Sequence, residues 1–224
     1  MCNKVLCSQN LILMGGGGHC KSVLDTVKRI KLYDNIYVLD PGITPGSKLL
    51  DCATVIGGDE LLTSLYEEGE RNMFISVGSI KPSLIRSKLY HSILDIGFNI
   101  PNIIDPSAVV SSSVNFREKG NKEQKGAGIF IGKRAIVNAE ASIGSCAIIN
   151  TAAIIEHECR IGAFAHISVN TTLCGMVTVG DYSFIGAGST VIQGVKIGSN
   201  VTIGAGSLVL RDVEDEEIVV GVVK

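Results

Sequence analysis

From Ile131 to Val209 an aliphatic residue returns at every sixth position without a break, through Val137, Ile143, Ile149, Ile155, Ile161, Ile167, Leu173, Val179, Ile185, Val191, Ile197 and Ile203. A second set, small or β-branched, follows each member four residues later, from Ala135, Ala141, Ala147 and Ala153 through Cys159 and Ala165 to Val201, Ser207 and Val213. An α-helix would repeat its apolar face at about 3.6 residues and a flat strand at two. A period of six matches neither; it predicts a hexapeptide β-helix, in which a short strand and its corner together consume six residues. Such a solenoid has a narrow interior of stacked similar layers, which suits a chain with 26 glycines and no tryptophan. The glycines directly after the aliphatic position (Gly132, Gly144, Gly162, Gly180, Gly186, Gly198 and Gly204) are expected to serve corners that need compact or unusual backbone. If a triangular coil takes three hexads, Gly175 stacks over His157 and Ser168 over Asn150.

The first hundred residues follow another rule. Asn10 to Met14 reads as a buried strand that runs into Gly15, Gly16, Gly17 and Gly18, and His19 opens a helix to about Ile30. A second strand, Asn35 to Leu39, ends in Asp40, at about the distance where a carboxylate meets a ribose in dinucleotide folds. The fingerprint is incomplete, because its third glycine position falls on Cys20. A strand at Thr54 to Ile56, a helix from Asp59 to Glu68, a strand from Met73 to Val77 ending at Gly78, and a helix from Pro82 to Ile96 complete one half of a doubly wound sheet. Half a sheet has room for a mononucleotide. The expected organisation is a Rossmann-like domain over residues 1–102 and a β-helix domain over residues 103–224. Ile104 with Ala108 and Val110 with Val114 begin the hexads, and the polar stretch Phe116 to Gly128 reads as a loop extruded from one coil.

Chemistry gathers between Ile148 and Gly175, which holds His157 and His166, two of only four histidines. Both avoid the apolar positions of their hexads, so both should project outward. His157 lies between Glu156 and Glu158; a carboxylate beside an imidazole fixes its tautomer and raises its basicity, which makes a general base. Neighbours on a flat strand point to opposite faces, so Glu158 can serve His157 only if the chain turns there. A glycine stacked on the base should leave a side-chain-free slot in the wall. The seven cysteines are scattered without a CxxC pair, which argues against a disulfide framework or zinc ribbon and for reduced thiols. Cys159, at a core position, reads as a small hydrophobe.

The pairing of Gly-Gly-Gly-Gly-His after the first strand with Asn-Thr-Ala-Ala-Ile-Ile-Glu-His-Glu-Cys-Arg-Ile-Gly and His-Ile-Ser resembles the sialic acid O-acetyltransferase and bacillosamine-type N-acetyltransferase family (NeuD/PglD-like), within the left-handed β-helix hexapeptide acyltransferases. The resemblance implies a homotrimer with active sites between subunits, and acetyl-CoA as cosubstrate without a metal. It implies His157 as general base and Glu158 as the group that raises its basicity. Asn150, His166, Gly175, Ala187 and Ala205 would line the acetyl-CoA groove, with the slot over Gly175 admitting the thioester arm. Gly15, Gly17, Gly18, His19, Asp40 and Gly78 would line a sugar-nucleotide pocket. The chain departs from the family pattern in the stretch from Phe116 to Gly128 and at its end, Val220-Gly221-Val222-Val223-Lys224, where the family has Gly-x-Pro-Ala-Lys.

The expected reaction is N-acetylation of a UDP-4-amino-sugar by direct transfer, with O-acetylation of a sialic acid as the alternative. Two other classes use the same helix: a non-catalytic scaffold, and a zinc lyase, for which a third histidine ligand is missing near His157 and His166. A net charge of -2 gives no electrostatic case for nucleic acid. No segment approaches the roughly 20 apolar residues of a membrane span, and no signal peptide opens the chain, so a cytoplasmic location is expected.

Overall fold

The computed structural model describes residues 9–78, 84–117 and 126–224. The chain divides into two compact units, Met1–Gly78 with His91–Ile100, and Ser79–Tyr90 with Pro101–Lys224.

In the first unit, strand β1 (Asn10–Met14), helix α1 (Gly18–Ile30), β2 (Asn35–Leu39), β3 (Lys48–Leu49), β4 (Ala53–Gly57), α2 (Leu62–Glu67) and β5 (Met73–Ile75) follow in order. A single 3-10 turn, Asp59–Leu61, leads into α2, so the helix expected from Asp59 begins in the tighter form. The sheet order is β3-β4-β2-β1-β5. All pairings are parallel except β3 with β4, a short antiparallel edge that hydrophobic periodicity did not reveal. Leu11, Ile12 and Leu13 of β1 are fully buried, as a central parallel strand covered on both faces must be. Strand order reverses between β1 and β5, which opens a crevice at their carboxyl ends. Helix α1 ends with Lys28 and Arg29 in its last turn, where cations complement the helix dipole.

The second unit is the β-helix. Its strands form three parallel sheets of seven, five and seven strands. We number these faces in chain order: face one runs through Ile148, His166 and Phe184, face two through Ile154 and Thr172, face three through Ser142 and Arg160. Partners such as Ile136, Ile154 and Thr172 stand eighteen residues apart, so the coil takes three hexads. The aliphatic series fills the interior: Ile149, Ile155, Ile167 and Leu173 are fully buried and belong to one cluster that runs from Ile104 to Val223. Each such side chain contributes roughly 1.5–3 kcal/mol by leaving water. Val109 pairs with Ile136, a step of twenty-seven, so the coil that carries the polar stretch is nine residues longer than the rest. Phe116 and Arg117 still belong to a strand, with Phe116 opposite Ile143, so the extrusion begins after Arg117; residues 118–125 lie outside the described residues.

The corners correct one expectation. The left-handed residue of each hexad sits three positions after the aliphatic one, at Arg134, Glu140, Cys146, Ala152, Glu158, Phe164, Asn170, Met176, Tyr182 and Asn200, with φ from 54° to 62°. Only Gly188, Gly194 and Gly206 meet that need with glycine. The glycines directly after the aliphatic residue have ordinary φ and are required by close approach instead. A Cβ on Gly144 would lie 2.6 Å from the backbone nitrogen of Ala163, one coil on, and one on Gly186 would lie 2.5 Å from that of Ala205. A left-handed turn at a side-chain-bearing residue costs about 1–2 kcal/mol. It also aims an N–H at the preceding coil, as Glu158 donates to the Ala139 carbonyl at 2.9 Å.

Helix α3 (Ile85–Ile96) opens within this second unit. Arg86 is 3% exposed and donates to the corner carbonyls of Cys146 and Phe164. Burial draws its pKa down from the usual guanidinium range. The Tyr90 ring meets Phe164 edge-on at 5.7 Å, and Phe164 stacks on Tyr182 at 5.1 Å. Among the described residues no helix is long and apolar enough to cross a membrane.

Candidate active site

His157 stands at the corner that follows face two. The chain turns left-handed at Glu158, φ 59°, and this folds the carboxylate back onto its neighbour: Nδ1 of His157 lies 3.0 Å from Oε2 of Glu158. The condition for Glu158 to serve His157 is therefore met. A carboxylate accepts, so Nδ1 is the donor of this bond, and in the neutral ring Nε2 is the nitrogen with the lone pair. Both side chains are about half exposed, at 50% and 52%.

Gly175 stacks on His157, as the eighteen-residue register requires. The slot is not empty, however. A Cβ on Gly175 would lie 2.5 Å from Nε2 and 2.6 Å from Cε1 of His157, so the imidazole itself lies over the glycine. The expectation of a gap for a thioester arm is corrected: the missing side chain makes room for the His157 ring. The reason is planarity, since a flat ring packs on a bare backbone where any side chain would displace it. Cys159 is fully buried in the core below and donates to the Cys174 carbonyl at 3.1 Å. Burial pushes its thiol up to about 11, which keeps it protonated and inert.

Asn150, Ala187 and Ala205 belong to a different corner, the one that follows face one, and His166 is a strand residue of face one. His166 does point away from the core, but it is covered, at 8% exposure, with Phe184 edge-on at 5.2 Å. The Asn150 amide donates to its Nε2 at 3.2 Å. Ala187 and Ala205 are stacked in consecutive coils, with Gly206 donating to the Ala187 carbonyl at 2.8 Å. A Cβ on Gly204 would meet Val220 at 2.5 Å, so the departing C-terminal sequence packs directly on this corner. Half a coil separates His157 from His166, and they stand on different edges of the prism. One chain therefore brings together His157, Glu158 and Gly175, and separately Asn150 and His166, but not the two groups.

In the first unit, Gly15, Gly17, Gly18, His19, Asp40 and Gly78 line a single cleft of about 310 Å³ at the β1/β5 reversal. Gly15 takes φ 97°, and a Cβ there would strike Val77 at 2.6 Å; Gly17 and Gly18 face open space. The first turn of α1 has no acidic residue, and its N-cap, Gly17, makes no side-chain cap hydrogen bond; a helix N-terminus of this kind favours an anion. Asp40 also has a structural task in the glycine loop. Its Oδ2 accepts from Gly16 N–H at 2.7 Å and its Oδ1 from Gly42 N–H at 2.8 Å, so it ties the glycine loop to the next turn. Cys20, at the third glycine position, is fully buried, with its thiol pushed up to about 11 by burial. Ser76 and Val77 also line the cleft and escaped sequence reasoning. Ser76 donates to the carbonyls of Met14 and Gly15 at 2.9 and 2.6 Å. Its signal was the position just past β5, at the strand-order reversal.

Among the described residues, no group of three or more His, Cys, Asp or Glu could hold a metal ion. The PglD N-terminal domain model matches residues 10–93, and the bacterial transferase hexapeptide model matches residues 176–211. The fold is similar to a histidine-to-asparagine variant of perosamine N-acetyltransferase from Caulobacter crescentus, solved in complex with CoA and GDP-perosamine. Identity is 35%, over 95% of this chain and 93% of that one, with a TM-score of 0.83. The acetyltransferase domain of PglB from Neisseria gonorrhoeae, solved with acetyl coenzyme A, matches at 33% identity over 96% of this chain and 97% of that one, with a TM-score of 0.85. WeeI from Acinetobacter baumannii, 19% identical with a TM-score of 0.77, shares the fold. With relatives above 30% identity along nearly the whole of both chains, this chain belongs to the family of sugar acetyltransferases that join a PglD-type N-terminal domain to a left-handed β-helix of hexapeptide repeats.

Proposed function

We propose that the protein N-acetylates an amino sugar carried on a nucleoside diphosphate, with acetyl-CoA as donor and His157 as general base. The observation that carries this reading is the stack of Glu158, His157 and Gly175, which leaves Nε2 as the proton acceptor. The acceptor nitrogen attacks the thioester carbonyl, and His157 takes the proton the nitrogen sheds and returns it to the departing sulfur. A backbone N–H or His166 meets the oxyanion. A thioester is already activated, so no covalent enzyme intermediate is required.

In this reading Asn150, His166, Gly175, Ala187 and Ala205 hold acetyl-CoA, and Gly15, Gly17, Gly18, His19, Asp40 and Gly78 hold the nucleotide. The bare first turn of α1 supports a diphosphate there. Asp40 acts as anchor of that loop, with its remaining lone pairs available to a ribose. Two corners of the prism carry the two halves of the site, which supports a homotrimer whose neighbouring helices face one another across each site. The buried free thiols of Cys20, Cys146 and Cys159 support a reducing compartment such as the cytoplasm.

UDP is the carrier expected from sequence, and the GDP-perosamine bound by the Caulobacter enzyme favours GDP as the second candidate. Release of CoA thiol from acetyl-CoA, measured against UDP-4-amino-sugars, GDP-perosamine, free and CMP-linked sialic acids and no acceptor, separates them. Turnover with a nucleotide-linked amino sugar and none with sialic acid is expected. Turnover with sialic acid alone overturns the reading.

A further inference from the structure

The corner that holds Glu158 repeats one coil later at Met176, which shares its left-handed turn with φ 62°. Met176 donates from its backbone N–H to the His157 carbonyl at 2.9 Å, so it lies against the base. The two neighbours of the ring are thus divided by chemistry. Glu158 meets Nδ1, while Nε2 is turned toward the following coil, over Gly175, where Met176 is the corner residue. Met176 is 43% exposed, although a methionine on a solenoid core would be hidden. Ile192, one coil beyond Cys174 on the other side of Gly175, is 37% exposed. Met176 is therefore an exposed apolar side chain beside the base, in a neighbourhood where the preceding coil presents Glu156 and Glu158 and the following coil Gln193.

Of the groups that meet at Nε2, the amine and the thioester carbonyl form hydrogen bonds; the alkyl end of the acyl group and the methylenes next to the sulfur do not, and of these two only the acyl end differs between donors. We infer that Met176 is a specificity-determining residue for the donor: its side chain walls the acyl group and limits it to a short chain. This rests on the acyl-transfer reading above. The soft, unbranched thioether closes the space left after a methyl group and must be displaced by a longer chain.

The test uses the full-length protein and titrates acetyl-, propionyl- and butyryl-CoA by calorimetry, with no acceptor present. Wild type should bind butyryl-CoA at least about tenfold more weakly than acetyl-CoA, the smallest discrimination expected per methylene in a fitted pocket. Met176→Gly and Met176→Asn both shorten the side chain and both tolerate the left-handed backbone. Each should narrow that ratio to within about threefold. Thiol release with a nucleotide-linked amino sugar should show the propionyl-to-acetyl ratio of kcat/KM rising about tenfold in the same variants. A wild type that binds all three alike overturns the inference, as do variants that melt like wild type and keep its ratio. Discrimination in binding, lost in the variants, upholds it even if no amino sugar is turned over; that outcome sinks the acceptor reading alone. Absence of acyl-CoA binding sinks both.

Discussion

At the scale of single residues, the His157–Glu158 pair was legible because the two are covalent neighbours. Glu-His-Glu in an outward position of the repeat already pairs a carboxylate with an imidazole, and the left-handed turn at Glu158 completes the pair at 3.0 Å. His157→Ala should lower kcat by roughly 10²- to 10⁴-fold, the span for loss of a general base, with an unchanged melting temperature. Glu158→Gln should lower kcat by a smaller factor, because the amide can still accept from Nδ1 but no longer stabilises the imidazolium. A His157→Ala enzyme with near-normal kcat at saturating substrates would refute the assignment. Asp40 shows the opposite case. Its type and spacing pointed to a ribose; the structure adds that each oxygen accepts an N–H, from Gly16 and from Gly42, and no local pattern announces a bond across twenty-four residues.

At the scale of elements, the same residue type does two jobs at positions two residues apart. Gly186 has ordinary φ and is wanted because Ala205 leaves no space for a Cβ, whereas Gly188 has φ 67° and open space around it. Gly188→Ala should cost about 1–2 kcal/mol, the strain of a left-handed turn. Gly186→Ala should cost more, roughly 3 kcal/mol or above, because backbone of the next coil must shift. Urea unfolding midpoints of the two variants give the order, and the reverse order would show that conformation, not contact, governs the first position. The strands were legible throughout this region, since the hexad states which side chain enters the core. The role of the glycines was not, because their neighbour belongs to the next coil.

At the scale of the whole molecule, the proposed site is divided between two corners, and this predicts a trimer. Asn150, His166, Ala187 and Ala205 follow or lie on face one, while His157, Glu158 and Gly175 follow face two. Light scattering should return three times the 23.6 kDa of one chain. Mixed trimers made from inactive His157→Ala and inactive Ala205→Trp subunits should regain part of the activity, because some sites then take an intact half from each. A fully active monomer would contradict this arrangement.

The sequence by itself determined the two architectures and the candidates on them. A six-residue apolar period points to a solenoid of hexapeptide coils, and a buried strand running into glycines and a helix points to a parallel α/β start. Burial of every sixth side chain is a property of the local chain and can be counted along it. Only the tertiary structure decided which way the His157 ring turns, what fills the space over Gly175, what Asp40 holds, and that Asn150, Ala187 and Ala205 follow face one while His157 follows face two. Those outcomes are set by side-chain hydrogen bonds and packing between residues that stand eighteen or more positions apart, and position along the chain carries no record of them.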